Sequence, residues 1–206
     1  CSTCRADSPR FGRSRAHASP WSAPGLRHSK TGGSVTEPVL VAQGVSVRFG
    51  GLVAVDGVDL EVRERELVGV IGPNGAGKTT FFHTLSGVLV PSAGRLLVCG
   101  ADLSGRPAHE FAAQGVARTF QTPRVFPGMS AEQNVRFGLE FAGRRRSHVH
   151  DAFSDARSIL GFLGLAEAAG VPAGGLTPAK QRLLEIGMAL GARPRVLLLD
   201  EVAAGL

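Results

Sequence analysis

The chain of 206 residues is long enough for one substantial domain, and its hydrophobic fraction of 43% supports a packed core. It has no run of about eighteen apolar residues, so no segment reads as a membrane span and any membrane role would run through a partner subunit. Three cysteines do not make a disulfide framework. The net charge of +6 is unevenly placed: residues 1–38 carry +4 of it, which leaves the rest nearly balanced and argues against a nucleic-acid surface on the folded part.

Residues 1–38 are rich in Ser, Arg, Pro and Gly without apolar periodicity, the composition of a disordered basic extension. Cys1 and Cys4 form a CxxC, but Cys99 is the only other thiol and lies in an apparent strand, so a four-ligand zinc site lacks partners. The stretch superficially resembles an organelle transit peptide without its amphipathic helix; a fragment, or an extension of uncertain start, is the simpler reading. Order is expected from Val39. Residues 39–49, and then Val58, Leu60 and Val62 alternating with Asp59, Glu61 and Arg63, have the pattern of half-buried antiparallel strands.

Residues 67–71, Leu-Val-Gly-Val-Ile, read as a buried strand leading into Gly72, Pro73, Asn74, Gly75, Ala76, Gly77, Lys78, Thr79 and Thr80. Two glycines five apart followed by Lys and Thr fit the P-loop pattern, and the segment 79–89 reads as the helix that follows. The chemistry needs these residue types. Glycines let backbone N–H groups curl round a polyphosphate, Lys78 adds a mobile positive charge, and Thr79 offers a hydroxyl to Mg2+. The helix N-terminus adds a favourable dipole, so the stretch is expected to bind a nucleotide.

Beyond it the sequence predicts a turn at 91–94, a strand at 95–99, a short helix at 107–114 and a strand at 116–120 that ends at Gln121. Residues 122–128, with Pro123 and Pro127, are expected to be an irregular surface segment. A helical region follows: Ser130 and Gln133 make a capping box, and Phe153, Ala156, Leu160 and Leu163 mark an amphipathic helix. Arg144, Arg145 and Arg146 between them read as a solvated loop or helix end. Thr177 suits an N-cap and Pro178 a first helical position, opening a helix to about Gly191. Its apolar face is expected at Leu183, Ile186 and Leu190, widened by Leu184 and Met188. A buried strand at 196–199 then delivers Asp200 and Glu201 at its carboxyl end. With a P-loop upstream, Asp200 is suited to the Mg2+ that bridges nucleotide phosphates, and Glu201 to orienting the attacking water.

Taken together, residues 39–206 closely resemble the ATP-binding subunit of an ABC transporter. The resemblance rests on Phe49 at the position of an adenine-stacking aromatic, the complete P-loop, Gln121 within Ala117-Arg118-Thr119-Phe120-Gln121 at the Q-loop, and residues 177–180 at the signature. The 122 positions between Lys78 and Asp200 leave room for an inserted helical subdomain, about 122–192. It implies an α/β fold: a RecA-like P-loop NTPase core, an antiparallel β subdomain and the inserted α-helical subdomain. It also implies ATP and Mg2+ as ligands, with Glu201 and Gln121 catalytic, Thr79, Gln121 and Asp200 at the metal, and Thr177 and Ala179 contacting nucleotide across a dimer. The implied partners are a second ATPase subunit, transmembrane permease subunits docking at 122–129 and, indirectly, an external solute-binding protein, at the cytoplasmic face of the membrane. No nucleic acid is expected.

Residues 49–55, 117–123, 184–186 and 204–206 look most like the subunits that energise branched-chain amino acid uptake; the similar ATPase of lipopolysaccharide export is the alternative. The family's signature is Leu-Ser-Gly-Gly-Gln, whereas this chain has Leu176-Thr177-Pro178-Ala179-Lys180, and Pro178 removes a backbone donor. Val202 replaces the proline usual after the catalytic Glu. The chain also stops five residues after Glu201, before the family's switch histidine and at the start of its D-loop, and none of the six histidines, His150 being the last, takes that role by position. Hydrolysis is therefore expected of a full-length protein and little of this segment alone. A nucleotide-binding module with impaired hydrolysis is the second hypothesis. A soluble ABC protein acting on nucleic acid through its basic extension is the third.

Overall fold

Alternation along the first ordered residues builds a sheet. In the computed structural model, which describes residues 37–141 and 153–200, β1 (Pro38–Phe49) and β2 (Leu52–Arg63) form a hairpin in which Phe49 faces Leu52. β3 (Ala93–Val98) pairs with the other edge of β1 and β4 (Ala101–Asp102) with β3, giving the antiparallel order β2-β1-β3-β4. Leu40, Val45, Val47, Leu96 and Val98 point into a core that also holds Phe81 and Leu85 of α1 (Lys78–Leu85) and Phe111 of α2 (Ala108–Ala113). Val58, Leu60 and Val62 pack on its margin, as their alternation predicts.

β5 (Val116–Arg118) and β6 (Val196–Leu198) form a parallel pair, which a tight turn cannot connect. The connection is a second apolar cluster made by α3 (Ala131–Phe141), α4 (Ala156–Phe162) and α5 (Pro178–Gly191), with Val135, Ile159, Leu160 and Leu184 at its centre. Local chemistry starts each helix. Ser130 Oγ accepts from the Gln133 amide at 3.2 Å while Gln133 Oε1 accepts from the Ser130 amide at 2.9 Å, the predicted capping box. Asp155 and Ser158 make a second box that the sequence reading did not identify. Thr177 Oγ1 accepts from the Lys180 amide with Pro178 in the first turn, as expected.

α3 and α5 meet at backbone distance. A Cβ on Gly138 would stand 2.2 Å from the Met188 carbonyl oxygen, and one on Gly191 2.9 Å from that of Val135. Gly138→Ala therefore forces the two helices apart. The expected cost is about 1–3 kcal/mol, read as a lowered urea midpoint at unchanged slope, and an unchanged midpoint would contradict the close crossing.

Several expectations are corrected. Residues 67–71 form no strand: Leu67 and Ile71 are 96% and 90% exposed. An apolar run becomes a buried strand only when neighbours pair with its edges, and no strand among the described residues does so. The helix after the P-loop ends at Leu85 instead of Leu89, because Gly87 takes a positive φ of 69° and the Gly87 and Val88 amides turn back to the carbonyls of Thr84 and His83. β5 stops at Arg118, two residues short of the predicted end. The most buried face of α5 runs through Arg182, Leu184, Glu185, Gly187 and Gly191, whereas Leu183, Ile186, Met188 and Leu190 are only half-buried. The expectations for residues 1–36, Arg144 to Arg146, and Glu201 and Val202 lie outside the described residues.

Candidate functional site

The P-loop closes on itself through its lysine. Lys78 Nζ donates to the carbonyls of Gly72 at 2.7 Å and Pro73 at 2.8 Å, which holds the ammonium over the turn that the Ala76 amide closes onto Pro73. Gly77 caps α1 with a φ of 85°, a conformation that L side chains rarely adopt. A Cβ there would also lie 2.2 Å from the Ala54 carbonyl oxygen, so only glycine lets the loop rest against β2. Ala54 is two residues, about 7 Å of strand, from Leu52, the partner of Phe49. The half-exposed Phe49 ring thus stands at the hairpin end nearest the P-loop.

Asp200 lies two residues beyond the end of β6 and is buried. Its Oδ2 accepts no hydrogen bond among the described residues; the nearest cation is the guanidinium of Arg118, 3.6 Å away and almost equally buried. Arg118 also donates to Ser86 Oγ at 3.1 Å at the end of α1 and lies over the Phe120 ring. Strand β5, helix α1 and the carboxylate are thereby tied together. Burial lowers the Arg118 pKa most, against the opposing pull of Asp200. His83 on α1 feels the same pair: burial and then Arg118 lower its pKa, and Asp200 partly offsets them. A buried carboxylate oxygen without a hydrogen bond among the described residues fits a hard divalent cation, because Mg2+ takes one or two protein carboxylates and completes its shell with phosphate and water.

The loop after β5 is held from α5. The Phe120 and Arg124 amides donate to Glu185 Oε1 at 3.1 and 3.2 Å, and Arg182 donates to the Phe120 and Gln121 carbonyls and to that of Asp200. Gln121 is therefore anchored on both sides. Farther along, the fully buried Asn134 accepts from the Phe126 amide at 2.8 Å and donates to the carbonyls of Phe126, Met129 and Ser130, which fixes residues 126–130. Phe126 and Phe137 stack edge to face on that surface at 4.8 Å, and Phe126, Met129 and Phe137 are exposed.

The structure thus brings the C-terminal end of α1, the Gln121 loop and Asp200 together through Arg118 and Arg182, and places Thr177 and Ala179 at the far, N-terminal end of α5. Arg118, Asn134, Arg182 and Glu185 were not identified as site residues from sequence. Arg118 had a legible signal, since it shares strand parity with the buried Val116.

The family described as ABC transporter matches residues 55–204. The high-affinity branched-chain amino acid transport ATP-binding protein BraF of Pseudomonas aeruginosa is 41% identical over 184 residues, which span 84% of this chain and 72% of that protein. The LivG protein of Escherichia coli K12, described in the same words, is 40% identical over 186 residues with the same shares covered. Among solved structures, the ADP conformation of MJ1267, an ATP-binding cassette of an ABC transporter, superposes with a TM-score of 0.69 at 30% identity, covering 83% of this chain and 71% of that one.

Proposed function

The chain belongs to the ABC transporter family of ATPases, and on that premise we propose that it binds and hydrolyses ATP to drive import of branched-chain amino acids. Its fold is that of the family, an α/β P-loop NTPase. The observation that carries the catalytic reading is the buried Asp200 Oδ2, which accepts no hydrogen bond among the described residues and is linked through Arg118 to Ser86, at the C-terminal end of the helix that the P-loop opens. The imported solute is inferred from the names of the relatives.

In this reading Phe49 stacks on adenine, and the loop 72–80 receives the phosphates, with Lys78 exchanging its two carbonyl partners for phosphate oxygens. Thr79, Gln121 and Asp200 hold Mg2+, which supplies charge neutralisation at the phosphates. Glu201 orients the attacking water. Thr177 and Ala179 meet the nucleotide held by a second ATPase subunit, permease subunits dock on 122–129, and residues 122–192 move as the helical subdomain within a domain spanning 39–206. No helix among the described residues is long and apolar enough to cross a membrane. In this reading the permease subunits hold the chain at the cytoplasmic face.

One observation favours slow turnover as a second reading: Pro178 at the start of α5 offers no N–H to a phosphate. The transport reading is tested by uptake. Removing the gene should abolish entry of labelled leucine, isoleucine and valine, and restoring the full-length protein should recover it. Unchanged uptake would sink the assigned solute.

A further inference from the structure

Arg182 and Glu185 lie three residues apart on α5, 3.1 Å from each other, and each side chain is more than nine-tenths buried. A buried ion pair is a weak source of stability, since well-packed apolar residues commonly do as well at the same place. Its partners show what this pair accomplishes. Glu185 Oε1 accepts from the amides of Phe120 and Arg124, the residues that bracket the Gln121 segment. The Arg182 guanidinium, a rigid fork of donors, reaches the carbonyls of Phe120 and Gln121 with one nitrogen and that of Asp200 with the other. Two side chains on one helix thus join three backbone segments: α5, the Gln121 loop and the end of β6.

We propose that Arg182 and Glu185 form a positioning unit that sets the Gln121 loop and Asp200 relative to the Thr177 end of α5. Arg182 is five residues, about 8 Å of helix, past Thr177. A shift of α5 must therefore carry the loop and the strand end with it or break several charge-assisted hydrogen bonds in a dry environment. Neither residue touches nucleotide or the reacting atoms. The pair acts through Gln121 and Asp200, and so this inference rests on the ATPase reading above.

Glu185→Gln keeps the shape and removes the charge. In the full-length protein we expect kcat to fall about 10-fold or more, the loss of hydrogen bonds to a charged group, while ATP affinity measured without metal stays within about twofold because the bonds of the pair go to the Gln121 loop and Asp200. Arg182→Lys, which keeps the charge but loses the fork, should show the same split. Turnover within about twofold of wild type in both variants would overturn the proposal, as would equal losses in binding and turnover, the mark of a merely structural role. Amide hydrogen exchange on the wild-type protein covers the case in which a variant does not fold. The Phe120 and Arg124 amides should be protected, and ATP with Mg2+ should change their exchange together with that of the first turn of α5. Exchange at Phe120 and Arg124 that nucleotide leaves unchanged would overturn the unit. Wild-type turnover is the separate control for the ATPase reading, and the exchange result judges the positioning unit whatever that control gives.

Discussion

Lys78→Ala should weaken ATP binding by about 10- to 100-fold, the value of a charge-assisted hydrogen bond, and lower turnover by at least about 100-fold. The ammonium donates to the Gly72 and Pro73 carbonyls, so it already sits inside the turn proposed to receive the phosphates. Its loss acts twice: the phosphates lose a cation, and the loop loses the two bonds that hold its curl. Gly77 remains in place against Ala54, so the hairpin contact and the fold should survive. Titration with a fluorescent ATP analogue, alongside phosphate release at saturating ATP, separates the two effects. A variant with wild-type turnover would remove the lysine from the mechanism.

Much of this was legible because local chemistry decides it. Ser130 with Gln133, and Thr177 with Pro178, place two helix starts within a residue, since a cap depends on side chains three positions apart. The parity of Val58, Leu60 and Val62 assigns the inner face of β2 for the same reason. What was not legible depends on partners distant in the chain. The apolar run 67–71 carries the composition of a buried strand, but composition does not say which strand will pair with it. Arg182 and Glu185 fail in the opposite direction. Helical periodicity counts charged residues as solvent-facing, so it places the buried face of α5 on Leu183, Ile186 and Leu190. The buried face instead combines Leu184, which that periodicity also includes, with a charge pair serving backbone groups more than sixty residues away. Asn134 is hidden likewise, its whole hydrogen-bonding capacity spent on a loop that the sequence marks only as irregular.

Asp200→Asn should reduce Mg2+-dependent turnover by at least about 100-fold while ATP binding measured without metal changes little. The side chain keeps its size, so β6 and the Thr119 hydroxyl that accepts from the residue-200 amide at 3.4 Å remain as they are. What disappears is a negative charge at a buried oxygen that no donor among the described residues satisfies, the feature suited to a divalent cation. The neighbour responds as well. Arg118 keeps Ser86 and the Phe120 ring but loses the carboxylate at 3.6 Å, and a buried cation deprived of its partner costs about 3–5 kcal/mol, less where a neutral amide stands in. The melting temperature of the variant should therefore fall, and the double variant Asp200→Asn with Arg118→Met should recover much of that loss without recovering turnover. Glu201→Gln is the contrasting case: a residue that orients water should lose turnover and keep its response to Mg2+ in nucleotide binding. If Asp200→Asn and Glu201→Gln gave the same metal dependence, the division of labour between the two carboxylates would be wrong.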